Sequence, residues 1–173
     1  MTLKILLPLD GTALSLEQAR FAIHLCQSGL RAHFVVANVQ EPASFYEVIT
    51  ARDPTQLQQM VIGTAQELVA PAVALLAAAG LPHEVAIVEE GDPVQGMLEL
   101  IESEGCDMVI IGAHPHSLLA TGSTRSSALR LAKVAPVPVL SVRAPVAPEP
   151  GEAYEPEPGE APGAADATDP DAD

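Results

Sequence analysis

Residues 83–112, HEVAIVEEGDPVQGMLELIESEGCDMVIIG, read as strand, helix, strand. His83–Val88 is a short apolar run. Asp92-Pro93 supplies a helix N-cap followed by a proline at the first helical position, where a missing N–H costs nothing. Val94, Met97, Leu98 and Ile101 then recur at helical spacing, with Glu99, Glu102 and Glu104 on the wet side. Met108–Ile111 is continuously apolar up to Gly112, as expected of a strand buried on both faces. Two such strands joined through a helix form a right-handed crossover in a parallel sheet.

The same alternation extends in both directions. Lys4–Leu9 reads as a buried strand that ends at Asp10-Gly11. Ser15, with Gln18 three residues on, has the spacing of a capping box and predicts a helix to about Ser28, stopped by Gly29. Its inward face is expected to be Leu16, Ala19, Ile23 and Cys26. His33–Val39 is the second strand, followed by a longer connection to about Asp53. Pro54 begins a second helix whose apolar stripe includes Leu57, Met60, Val61, Thr64, Ala65, Leu68, Ala72 and Leu76, with Pro71 expected to kink it and Gly80 to end it. A last helix over about Arg125–Val134 leads to a final strand, Val137–Val142. The fold class is therefore α/β, a parallel sheet with helices on both faces. Ligands of such sheets bind beyond the carboxyl ends of the strands, here Leu9-Asp10, Val39-Gln40 and Ile111-Gly112.

Composition narrows the function. Hydrophobic residues are 48% of the 173, yet aromatics are 3% and Trp is absent, so the interior is aliphatic. The net charge of −15 is uneven: −6 falls within residues 1–143 and the rest beyond them. Neither part carries a basic stripe, which argues against nucleic acid and anionic membrane as partners. Cys26 and Cys106 imply no disulfide framework. The apolar runs look too short for a membrane span, and Asp10 interrupts the N-terminal run too early for a signal peptide, so a cytoplasmic location is expected. Residues 144–173 are Pro, Ala, Gly and acid with almost nothing to bury, and a disordered, solubilising tail is expected there.

The order of these segments resembles the universal stress protein family. KILLPLDGTALSLEQARFAIHLC resembles its first strand, aspartate and first helix, and VVANVQEP its second strand. EEGDPVQGMLELIESEGCDMVIIGAH resembles its glycine–aspartate–proline helix start and glycine-terminated strand, and APVPVLSVR its closing strand. The resemblance spans Thr2 to Arg143. It implies a single doubly wound five-stranded sheet in order 3-2-1-4-5, a homodimer formed through the last strand, and a role in stress or growth arrest. It also implies a choice between two branches, one that holds ATP in a glycine-rich loop and one that lacks the loop's glycines and binds no nucleotide.

That loop reads G-x2-G-x9-G-[S/T] in the ATP-binding branch, its glycines letting backbone N–H groups approach the phosphates. Gly112 matches the first position. The second falls on Pro115, which has no N–H, and the third on Arg125, with Ser126 in the hydroxyl position and Ser127 after it. A rival register puts Gly122-Ser123 in the glycine–serine role at the cost of a shortened loop. Pro8, Leu9, Asp10 and Val39 match positions around the adenine and ribose. Asp10 reads equally as a cap of the turn into the first helix, and Val39 more readily as a plain core valine. The expectation is a non-catalytic module with no resident cofactor; the alternative is an ATP binder with at most slow hydrolysis, using Pro8, Leu9, Asp10, Val39, Gly112, Ser126 and Ser127.

Other chemistry finds little support. His114 and His116 are too few for zinc without further ligands. No G-x-S-x-G elbow, Walker lysine motif or G-x-G-x-x-G is present, and no catalytic residue is expected. Cys106 lies between Glu104 and Asp107, acids that should raise its pKa and make it a poor thiolate.

Overall fold

The computed structural model describes residues 1–40, 54–88, 91–113 and 127–143. Nine elements alternate along it: β1 Leu3–Pro8, α1 Ala13–Gln27, β2 Ala32–Val39, α2 Pro54–Ala78, β3 His83–Val88, α3 Pro93–Glu104, β4 Met108–Gly112, α4 Ser127–Val134 and β5 Val139–Val142. All strand pairs are parallel and the order is β3-β2-β1-β4-β5. This is the arrangement implied by the family resemblance.

The inner strands β1, β2 and β4 are largely apolar on successive residues because both of their faces are covered. Ile5, Leu7, Phe34, Val36 and Ile110 pack with Ala19 and Ala22 of α1 and Val69, Ala72 and Leu76 of α2. Leu6, Val35, Ala37, Val109 and Ile111 point the other way, onto Val94, Met97 and Ile101 of α3 and Ala128 and Leu131 of α4. Phe34 is the one large aromatic fully inside among the described residues; aliphatic side chains supply the remaining volume.

The start of α3 follows the sequence signal. Asp92 Oδ1 accepts hydrogen bonds from Val94 N and Gln95 N at 3.0 Å each, Pro93 stands in the first turn, and Gly105 closes the helix with φ 63°. Arg130 of α4 reaches Asp92 Oδ2 at 3.0 Å, tying the start of α3 to α4.

Several expectations are corrected. The first strand ends at Pro8, one residue before Leu9, and the last begins at Val139. The first helix starts at Ala13 with Thr12 as N-cap, so Ser15 is not the cap and Gln18 not its capping-box partner. The inward face of α1 is Leu14, Ser15, Gln18, Ala19 and Ala22; Leu16, Ile23 and Cys26 are only half-buried at its flank. In α2, Met60 and Thr64 are exposed and Val69 fills the core instead. Gln59–Ala78 is also long and apolar enough to cross a membrane, with mean hydropathy 1.6, although Thr64, Gln66 and Glu67 interrupt its apolar run. In the fold its stripe at Ala65, Val69, Ala72 and Leu76 lies buried.

The turn between β1 and α1 depends on a glycine. Gly11 has φ 79°, and a Cβ there would stand 2.4 Å from Leu68 Cδ2 and 3.0 Å from Leu68 Cβ, so α2 rests on this turn. Gly63, inside α2, would place a Cβ in open space, with nothing within 4 Å, and its backbone is ordinary helix. Gly11→Ala should therefore destabilise by about 2 kcal/mol, whereas Gly63→Ala should stabilise by about 0.5–1 kcal/mol. Urea unfolding of the two variants measures both.

Candidate functional site

In the order β3-β2-β1-β4-β5 the chain leaves β1 toward β2 on one side and later returns to β4 on the other. The strand order reverses between β1 and β4, and the crevice beyond their carboxyl ends is where α/β sheets bind ligands. Pro8, Leu9 and Asp10 stand at the end of β1, Val39 at the end of β2 and Gly112 at the end of β4. Ser127 opens α4. The fold thus gathers most of the candidates at one end of the sheet. Ser126, Pro115, Arg125, Gly122, Ser123, His114, His116 and the 144–173 tail lie outside the described residues.

Asp10 has an internal task. Its Oδ1 accepts from Thr12 N at 3.0 Å, Thr12 Oγ1 at 2.7 Å and Ser15 Oγ at 2.8 Å, while Ser15 Oγ accepts from Asp10 N at 3.1 Å. The carboxylate holds the turn into α1 closed, as an Asx cap does. Partial burial works against its charge, but the bonds from Thr12 and Ser15 outweigh it and hold the pKa below the ordinary aspartate value.

Val39 is packed on α3. A Cβ on Gly96 would meet Val39 Cγ1 at 3.0 Å and Cγ2 at 3.2 Å, so the absent side chain of Gly96 makes room for the valine. Gly112 serves a similar close approach. A Cβ there would stand 2.6 Å from Leu14 Cγ, 2.7 Å from Leu14 Cδ2 and 3.1 Å from Gln18 Oε1. Helix α1 lies directly on it.

Three buried polar residues at this end were not singled out as functional by the sequence: Ser15, Gln18 and Asn38. Gln18 Nε2 donates to Pro8 O at 2.9 Å and to Ile110 O at 3.3 Å, and Asn38 Nδ2 donates to Leu9 O at 2.7 Å. Gln40 Nε2 in turn donates to Asn38 Oδ1. The available signal was their position: polar side chains three residues apart on a helix face flanked by Leu14 and Ala19, and an amide within an otherwise apolar strand.

The opposite end of the sheet carries the charge. Lys4 Nζ bridges Glu84 Oε1 at 2.9 Å and Glu104 Oε2 at 2.7 Å, and His33 Nε2 approaches Glu84 Oε1 at 3.3 Å. Donating hydrogen bonds to the two glutamates raises the Lys4 pKa, and accepting from Lys4 lowers that of Glu84. Cys106 is buried nearby, its thiol pushed up to about 11. Burial is the larger cause; Glu104 and Asp107, its acidic neighbours in sequence, add to it, and Lys4 opposes them. Among the described residues no three His, Cys, Asp or Glu side chains converge as metal ligands.

Residues 1–143 match the family model described as universal stress protein family. The chain belongs to that family. Among solved structures, a universal stress protein family member from Burkholderia pseudomallei is 22% identical with TM-score 0.62, covering 82% of this chain and 96% of that one. A universal stress protein in complex with cAMP is 21% identical, TM-score 0.57, over 81% and 96% of the two chains. A family protein from Arabidopsis thaliana with AMP bound is 12% identical, TM-score 0.57, over 87% and 97%. At these identities the likeness is one of fold. No curated protein matches the chain.

The depressed pKa of Asp10 has a signed consequence. A carboxylate stabilised in the folded state contributes its full stability above its unfolded pKa and loses it as pH falls through the folded value. Asp10→Ala should cost on the order of 1 kcal/mol near neutrality, as for loss of a cap. Its deficit against the parent should hold down to about pH 4.5 and shrink below that. Thermal unfolding of both proteins from pH 7 to pH 3 measures it.

Proposed function

We propose that this universal stress protein is a non-catalytic, homodimeric, cytoplasmic stress-response module that does not hold ATP productively. The observation that carries this reading is that Asp10, Val39 and Gly112, three described residues matching the nucleotide site, each have a task within the fold itself. The Oδ1 of Asp10 is committed to Thr12 and Ser15, Val39 to the gap left by Gly96, and the bare backbone of Gly112 to Leu14 and Gln18. The sequence adds Pro115 and Arg125 where the ATP-holding loop has glycine. Proline has no N–H to offer a phosphate, and a side chain at the third glycine position would take up space that the ATP-holding loop keeps open.

A second reading, an adenine-nucleotide binder using Asp10, Val39, Gly112, Ser126 and Ser127, is favoured by the solved relatives that hold cAMP and AMP. Calorimetry separates the two. Losing two charge-assisted hydrogen bonds to phosphate, at roughly 1.5–3 kcal/mol each, weakens ATP by at least about a hundredfold. Little heat is expected at micromolar ATP with magnesium, and a gain when Pro115→Gly and Arg125→Gly are combined. Tight, stoichiometric binding by the parent protein would replace the first reading with the second.

Dimerisation through β5 rests on its place at the sheet edge, where unpaired backbone groups invite a partner strand. Half-buried Val139 and Leu140 lie on that strand, and Leu129 and Val134 of α4 are exposed. Light scattering at micromolar concentration should show a dimer, and Val139→Glu should shift it to monomer. A monomeric parent, or a variant that associates unchanged, would refute this interface.

A further inference from the structure

The ladder between β1 and β4 stops early. Its last pair is Leu6 with Val109, although β1 and β2 stay paired as far as Pro8 with Ala37. Along a strand, successive N–H groups face alternate neighbours. Leu3 N and Leu9 N donate toward β2, to Arg31 O and Ala37 O, so position 8 faces β4. That position is proline and has no N–H to give. Continued pairing would use the carbonyls of Pro8 and Ile110, and both would be left without a donor in the protein interior. Gln18 Nε2 donates to both, at 2.9 and 3.3 Å, from a side chain only 3% exposed.

We infer that Gln18 is a positioning residue for the crevice: its amide replaces the ladder bonds that Pro8 cannot make and fixes the ends of β1 and β4 relative to each other. The clamped carbonyls belong to residues two before Asp10 and two before Gly112, so one side chain sets both flanks of the candidate site. The arrangement also orients the amide. With Nε2 committed to the carbonyls, Oε1 is turned toward Gly112, within 3.1 Å of its Cβ position. Leucine at position 18 would fill similar volume without a donor, and glutamate would set a carboxylate against two carbonyls. The inference is independent of whether a nucleotide binds.

The test is a double-mutant cycle on the full chain with Gln18→Leu, Pro8→Ala and their combination, read by urea unfolding and by amide exchange in NMR. Gln18→Leu should lower the urea midpoint by about 1 M. It should also speed exchange at the Asp10 and Gly112 amides by roughly tenfold beyond any change at Ile5, a core amide that reports global unfolding. Pro8→Ala restores an N–H facing Ile110 O and lets the ladder run on toward Gly112. In that background both effects of Gln18→Leu should fall by at least half. Equal losses in the two backgrounds would overturn the inference, because Gln18 would then act through packing alone. If Gln18→Leu alone does not fold, folding of the combined variant supports the inference and its failure to fold overturns it.

Discussion

A central strand of a parallel sheet must satisfy two neighbours along its whole length, and β1 cannot do so because Pro8 lacks the N–H that faces β4. Much of the carboxyl end of the sheet is arranged around that missing donor. The strands stop pairing there, a helix amide takes over the carbonyls, and Leu14 of the same helix lies against Gly112. The Asp10 turn then has to reverse the chain within a few residues, which explains why Gly11 is left-handed and why one carboxylate oxygen collects three donors. A buried amide held by two carbonyls is costly to disturb, since removing it strands both acceptors.

The two ends of the sheet are built on different physics. At the carboxyl end, the neutral amides of Gln18 and Asn38 are held by directional hydrogen bonds inside the protein, and the carboxylate of Asp10 is capped at its surface. At the amino end, Lys4, Glu84 and Glu104 form a partly exposed ion cluster with His33 beside it. Charges so placed are screened by salt and individually weak, so that end adds local order across β1, β3 and α3 more than it adds stability. Arg130, on α4, is engaged with Asp92 at the start of α3.

The architecture was legible because its signals are local and periodic. Asp92-Pro93 and the apolar runs of β2, β3 and β4 each force their own element, and the family resemblance supplied the strand order. The start of α1 misleads because Ser15 and Gln18 have the spacing of a capping box, and spacing alone does not distinguish a cap from two buried side chains one turn apart. What decides it is tertiary: Asp10 Oδ1 and the carbonyls of Pro8 and Ile110 are the partners, and Ile110 is 92 positions away in sequence. At the candidate site, the structural alternatives for Asp10 and Val39 were visible in the sequence, but the occupation of Gly112 by Leu14 was not. It depends on the distance between a helix and a strand that no local pattern encodes.

The contact between Val39 and Gly96 makes the two positions a single volume shared by β2 and α3. A methyl group added to the helix at 96 has to be taken from the strand at 39, or the helix must lift from the sheet. Among descendants of this sequence, alanine at position 96 should therefore travel with a smaller residue at position 39. The pair would then drift together as a record of how closely α3 lies on the sheet.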